Sequence, residues 1–214
     1  MKELFLIRHG SLNEICTRRL VGQNDQPLSV KGIAEAEACG RFLAGCNITA
    51  AYSGNLRRVQ ETVDAVRKNA PDIPEPVIDT RLNEFDFGTW NMRDTSVLDE
   101  EEKELLRAWN FGNWDFSFPG GETIQAFADR TRAALKDIFE AEKNTGSVAV
   151  FSHGGVLMSL MADIAGLDRS KAFRLWLSRG SLAKIVFDDS GASDGVHMQA
   201  GRLCMLLKPA EIFK

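Results

Sequence analysis

Two of the three histidines in this 214-residue chain occur in the same local setting. His9 follows the apolar run Leu-Phe-Leu-Ile and Arg8, and precedes Gly10. His153 follows Val-Ala-Val-Phe-Ser and precedes Gly154 and Gly155. In both, an apolar strand ends, an imidazole emerges, and glycine lets the chain turn and bring backbone N–H groups toward an anion. Imidazole is the side chain whose ordinary pKa suits proton transfer or nucleophilic attack near neutral pH. Arg8 stands beside His9, and Arg57 and Arg58 open a later helix in YSGNLRRVQET. Guanidinium forks match phosphate oxygens and stay charged. If these segment ends converge, Arg8, His9, an arginine of the later helix and His153 form an oxyanion pocket. His197 lies in a Gly/Asp-rich tail and is assigned no function.

Such convergence needs a scaffold, and the apolar periodicity supplies one. Residues 4–7, 48–53 and 147–151 read as buried strands, with a short strand at 76–78. Residues 29–43 read as an amphipathic helix capped by Ser29, residues 56–69 as a helix stopped by Pro71, and residues 122–142 and 156–165 as two more. The tail reads as strands at 182–187 and 201–207 around a polar turn. Strands alternating with helices predict an α/β fold, a three-layer αβα sandwich with a mainly parallel central sheet. Ligands bind at the carboxyl ends of such strands. One domain is expected over 1–214, with an insertion or cap at about 80–121 over those ends. The insertion is helical and aromatic-rich, and its acidic run at 99–104 reads as a solvated helix face or turn.

Composition narrows the partners. Twenty-six Lys and Arg against thirty Asp and Glu leave a net charge of −4. That argues against nucleic acid, which usually meets a basic excess, and against a membrane surface. No window is apolar enough to span a bilayer, and the N-terminal run is too short for a signal peptide. Cys16, Cys39, Cys46 and Cys204 show neither a C-x-x-C pair nor zinc-like spacing, so reduced thiols, a cytoplasmic setting and no metal are expected.

Arg8-His9-Gly10 resembles the R-H-G signature of the histidine phosphatase superfamily, the phosphoglycerate mutase-like family. Further segments follow in the family's order: VGQNDQPLSVKG, YSGNLRRVQET, RLNEFDFGTW, PGGET and FSHGG. The second of these selects Arg58 over Arg57. The resemblance implies a metal-independent phosphomonoesterase that needs no cofactor. His9 is the implied nucleophile, giving a phosphohistidine, and Glu84 the implied proton donor. Arg8, Arg58 and His153 surround the phosphoryl oxygens, with Gly154 beside them.

One segment departs from the family pattern R-H-G-x-T-x-x-N. Leu12 stands at the threonine position and Ile15 at the asparagine position. Neither can hydrogen-bond phosphate, which leaves Asn13 as the candidate replacement. The stretch from FGTWNMRD to PGGETIQAFADR is most similar to the alpha-ribazole phosphatase branch, whose members dephosphorylate a nucleoside-like substrate in cobalamin assembly. Trp90, Trp109, Trp114 and Phe116 are then candidates for stacking on a heterocycle, or for the core of the insertion. The expected partner is a small phosphorylated metabolite, and a homodimer is compatible. The alternatives are a phosphoglycerate mutase, or a phosphate-binding regulatory protein with a weakened pocket.

Overall fold

In the computed structural model, residues 1–110, 115–143, 146–167, 177–187 and 201–207 are described, the last as backbone. Six strands form one sheet in the order β4-β3-β6-β1-β7-β8. These are β1 (Glu3–Arg8), β3 (Ile48–Ser53), β4 (Val77–Ile78), β6 (Ser147–Ser152), β7 (Leu182–Phe187) and β8 (Gly201–Leu207). β4, β3, β6 and β1 run parallel, while β7 is antiparallel to both β1 and β8. The sheet is thus mainly parallel, as the alternating pattern predicts.

The period-2 alternation of β1 decides which layer each side chain joins. Leu4 and Leu6 pack with Leu135 and Ile138 of α4 (Ile124–Glu142) and Leu157 and Leu160 of α5 (Gly154–Ile164). Phe5 and Ile7 point the other way, to Cys39 and Leu43 of α1 (Val30–Leu43) and Val59, Val63 and Val66 of α2 (Arg57–Asn69). β6 is buried at every residue, as a central parallel strand covered on both faces must be.

α1 begins where Ser29 caps it by accepting from the Gly32 N–H. The α1 backbone then lies directly on the loop after His9: a Cβ at Gly10 would come within 2.3 Å of the Gly32 carbonyl oxygen. Only glycine permits that approach. α5 starts at Gly154, immediately after His153 and two residues earlier than its apolar periodicity indicates.

The insertion contains α3 (Glu100–Asn110) and a two-residue strand, β5 (Arg93–Asp94), paired antiparallel with β2 (Arg19–Leu20). This ribbon is invisible to periodicity because two residues are too few to show one. The acidic run forms the first turn of α3, where carboxylates suit the helix dipole. Leu105, Leu106 and Trp109 of α3 rest on the core formed by Phe85, Phe87 and Phe118.

Among the described residues, no helix is long and apolar enough to cross a membrane. Cys16, Cys39 and Cys46 are free thiols; the side chain of Cys204, Trp114 and His197 lie outside the described residues.

Candidate active site

The parallel register of β1 and β6 aligns Arg8 with Ser152, so the next residue on each strand is a histidine. His9 and His153 leave adjacent strand ends with their ring centroids 5.2 Å apart. Both are buried, His153 completely. α2, which follows β3 on the other side of β6, carries Arg58 to the same place. Arg58 is 1% exposed, whereas Arg57 faces outward and pairs with Glu61. The turn before α2 is held by Asp25, which accepts from the Arg57 N–H at 2.7 Å.

The hydrogen bonds assign a role to each ring nitrogen. His9 Nδ1 lies 2.8 Å from the Gly10 carbonyl oxygen, which makes Nδ1 the protonated nitrogen and leaves the lone pair on Nε2. For His153 the order reverses. Arg58 Nε donates to His153 Nδ1 at 3.2 Å, so the proton sits on Nε2, a buried donor without a partner among the described residues. Burial first, then the charges of Arg58 and Arg8, holds the His9 pKa well below its ordinary value. His153 is lowered for the same reasons. Both rings are therefore neutral at neutral pH.

Backbone carbonyls hold both arginines. Arg58 donates to the Gly22 carbonyl at 2.6 Å and the Asn24 carbonyl at 2.9 Å, and Arg8 donates to the Leu177 carbonyl. Burial pulls both guanidiniums down to about 10, with Glu84 opposing the shift. They remain cationic at neutral pH.

Glu84 reaches the pocket from the start of the insertion. Its carboxylate accepts from the Phe85 N–H at 3.0 Å and the Gly155 N–H at 3.3 Å. Its main chain is clamped by Arg130 of α4, which donates to the carbonyls of Arg81, Asn83 and Glu84 and to both carboxylate oxygens of Glu122. Gly154 and Gly155 admit these groups: a Cβ at Gly154 would lie 2.7 Å from Arg8 Cζ, and one at Gly155 would lie 2.5 Å from Glu84 Oε1.

Arg8, His9, Arg58, Glu84 and Gly154 line one cavity of about 240 Å³. Phe85, Phe87, Trp109, Ile124, Phe127 and Met158 give much of the rest of its lining an apolar character. The structure corrects one expectation and decides one alternative. Asn13 is exposed and off the cavity wall, because it precedes a short 3-10 turn (Glu14–Cys16) on the outer surface; Ile15 is exposed beside it, while Leu12 lines the cavity. Of the proposed stacking residues, Trp109 lines the cavity, but Trp90 is buried against Phe118 and Phe116 packs on Phe118. Phe85, Phe87 and Phe127 take their place.

Sequence reasoning missed Arg130, Arg19 and Arg179. Arg19 and Arg179 line the cavity, yet Arg19 is the second of an Arg-Arg pair and Arg179 stands alone between apolar stretches, and neither carries a local signal that sets it apart from a solvated arginine. Among the described residues, no cluster of three or more His, Cys, Asp or Glu could hold a metal ion.

Comparisons with known proteins fit this geometry. Residues 4–194 match the model of the histidine phosphatase superfamily, branch 1. A relative from Salmonella choleraesuis (strain SC-B67), named "Probable phosphoglycerate mutase GpmB", is 34% identical over 98% of this chain and 97% of its own. The solved alpha-ribazole phosphatase from Shigella flexneri superposes with a TM-score of 0.81 at 25% identity, covering 97% of this chain and 96% of that one. A mycobacterial glucosyl-3-phosphoglycerate phosphatase shares the fold, with a TM-score of 0.81 at 23% identity over 95% and 97% of the two chains. The chain belongs to the histidine phosphatase superfamily.

Proposed function

We propose that this chain is a phosphomonoesterase that works through a phosphohistidine on His9, on a small metabolite with a largely apolar or aromatic leaving group. His9 Nε2 attacks phosphorus in line, the P–O bond to the leaving group breaks, and the protonated Glu84 gives its proton to the departing oxygen. Water then attacks the phosphohistidine, the Glu84 carboxylate takes its proton, and the P–N bond breaks to release inorganic phosphate. In this reading Arg8 and Arg58, which line the cavity, face the non-bridging oxygens, and the fully buried His153, just off the lining, supplies its Nε2–H as a third donor. In a site closed to water such donors are the main source of rate in phosphoryl transfer.

The observation that carries the substrate class is the apolar and aromatic lining that shares the cavity with the guanidiniums. Aromatic side chains stack on heterocycles, and alpha-ribazole 5′-phosphate is the substrate of this class that the solved Shigella relative suggests. The name of the Salmonella relative favours a second reading, phosphoglycerate mutase.

A phosphate-release screen over aryl, sugar, glycerate and nucleotide monophosphates, with alpha-ribazole 5′-phosphate among them, separates the two. The phosphatase reading expects release to water, fastest from the aromatic esters and abolished in His9→Ala. Exchange of phosphate between the 2- and 3-positions of glycerate without release supports the mutase instead. Binding of phosphate with neither reaction leaves a regulatory protein.

A further inference from the structure

Four arginines line the cavity, and three are tied down. Arg58 holds two carbonyls and His153, Arg8 holds the Leu177 carbonyl, and Arg19 holds the Met92 carbonyl at 2.9 Å and lies 3.4 Å from Asp94. Arg179 is half-buried and makes no hydrogen bond or ion pair to any described residue. Its nearby carboxylate, Glu35, is already engaged by the Ser11 N–H at 2.7 Å, the Ser11 hydroxyl at 2.9 Å and Lys31 at 3.8 Å.

The backbone beneath Arg179 is not loose. The Gly180 N–H donates to the His9 carbonyl at 2.8 Å, and the Arg8 N–H donates to the Ser181 carbonyl at 3.0 Å. Ser181 closes the turn through a 3.1 Å bond from its N–H to the Ser178 carbonyl. The Arg179 Cα is thereby pinned to the strand end that presents His9. A guanidinium partly withdrawn from water and without an acceptor among the described residues keeps its fork open to an anion that arrives.

The chain following His9 leaves room for that role. Ser11 is spent on Glu35, Leu12 is apolar, and Asn13 and Ile15 are exposed. No side-chain donor from residues 11–15 lines the cavity. We infer that Arg179 contacts the transferring phosphoryl group itself, as a third guanidinium beside Arg8 and Arg58, rather than the leaving group. After burial, Arg179 and Arg58 lower the readiness of Arg8 to hold a proton and Arg179 lowers that of Arg58, as like charges sharing a pocket do, and a phosphoryl dianion relieves that repulsion.

This inference rests on the proposed phosphoryl-transfer site, but its test does not rest on turnover. Inorganic phosphate is titrated calorimetrically into the wild type, Arg179→Met and Arg179→Lys. Methionine keeps the apolar stem, and lysine keeps the charge without the fork. Arg179→Met is expected to weaken phosphate binding roughly ten- to a hundredfold, with Arg179→Lys between it and the wild type. In turnover, kcat/KM should fall by the same factor for a neutral aryl ester and for 3-phosphoglycerate, because the shared phosphoryl group is what is lost. Unchanged phosphate affinity in a folded Arg179→Met overturns the inference, as does a loss confined to the carboxylate-bearing ester. Arg179-dependent phosphate binding in a wild type that turns over no ester supports Arg179 while defeating the phosphatase reading.

Discussion

Gly155→Ala tests the role of Glu84 without touching its carboxyl group. The added Cβ would lie 2.5 Å from Glu84 Oε1 and 3.4 Å from Cδ and from Phe127 Cζ. Ordinary contact begins near 3.4 Å, so Oε1 must withdraw by about 0.9 Å. It can do so, because it is the end of a flexible side chain. The fold therefore loses little, and alanine in the first turn of α5 is the better helix former by up to about 1 kcal/mol. Catalysis has no such freedom. A misplacement of about 1 Å costs on the order of 100-fold, which is about 2.7 kcal/mol of barrier. The expected result is a variant that melts at or slightly above the wild-type temperature and has kcat/KM reduced about 100-fold. If Glu84 protonates the leaving oxygen, the loss should be large for an alkyl phosphate and small for a nitrophenyl ester, whose oxygen departs without help. Gly155→Ala that keeps activity within about threefold on the alkyl ester would refute the reasoning. An equal loss on both esters would show that the carboxylate has another role.

Arg130→Met should act through the same residue from further away. It removes donors to the Arg81, Asn83 and Glu84 carbonyls and leaves Glu122 without its partner, so kcat should fall about tenfold or more while KM for an aryl phosphate moves little, measured by steady-state kinetics on folded protein. The two buried histidines predict the acid limb of stability. Above about pH 6.5 they are neutral in both folded and unfolded chains and contribute nothing to the pH dependence. Below it the unfolded chain takes up protons that the folded chain refuses, so stability falls with acid by up to about 1.4 kcal/mol per pH unit for each ring. Urea unfolding at pH 7.5 and 5.5 checks this, and His153→Gln should reduce the slope; an unchanged slope would remove His153 as a source.

Much of the scaffold was legible because its signals are local. The run Leu4–Ile7 must be covered on both faces, and an apolar strand that ends in His-Gly places an imidazole at a strand end whatever follows. Ser29, three residues before Gly32, marks its helix start by chemistry that acts within one turn. α5 began earlier than its apolar pattern because glycines at its first positions carry no hydrophobic signal.

The sequence by itself determined the layers, the two strand-end histidines and, through the ordered motifs, the choice of Arg58 over Arg57. Tertiary structure alone decided which side chains share the cavity. Arg130 meets the Glu84 loop across 46 residues, and the turn bearing Arg179, adjacent in the sheet, meets His9 from far along the chain. No local pattern encodes a contact between segments so distant. It likewise decided that Asn13 turns outward and that Phe85 and Phe87, rather than Trp90, line the cavity. An aromatic contributes the same apolar area to a core as to a cavity wall, and only the packing of its neighbours separates the two.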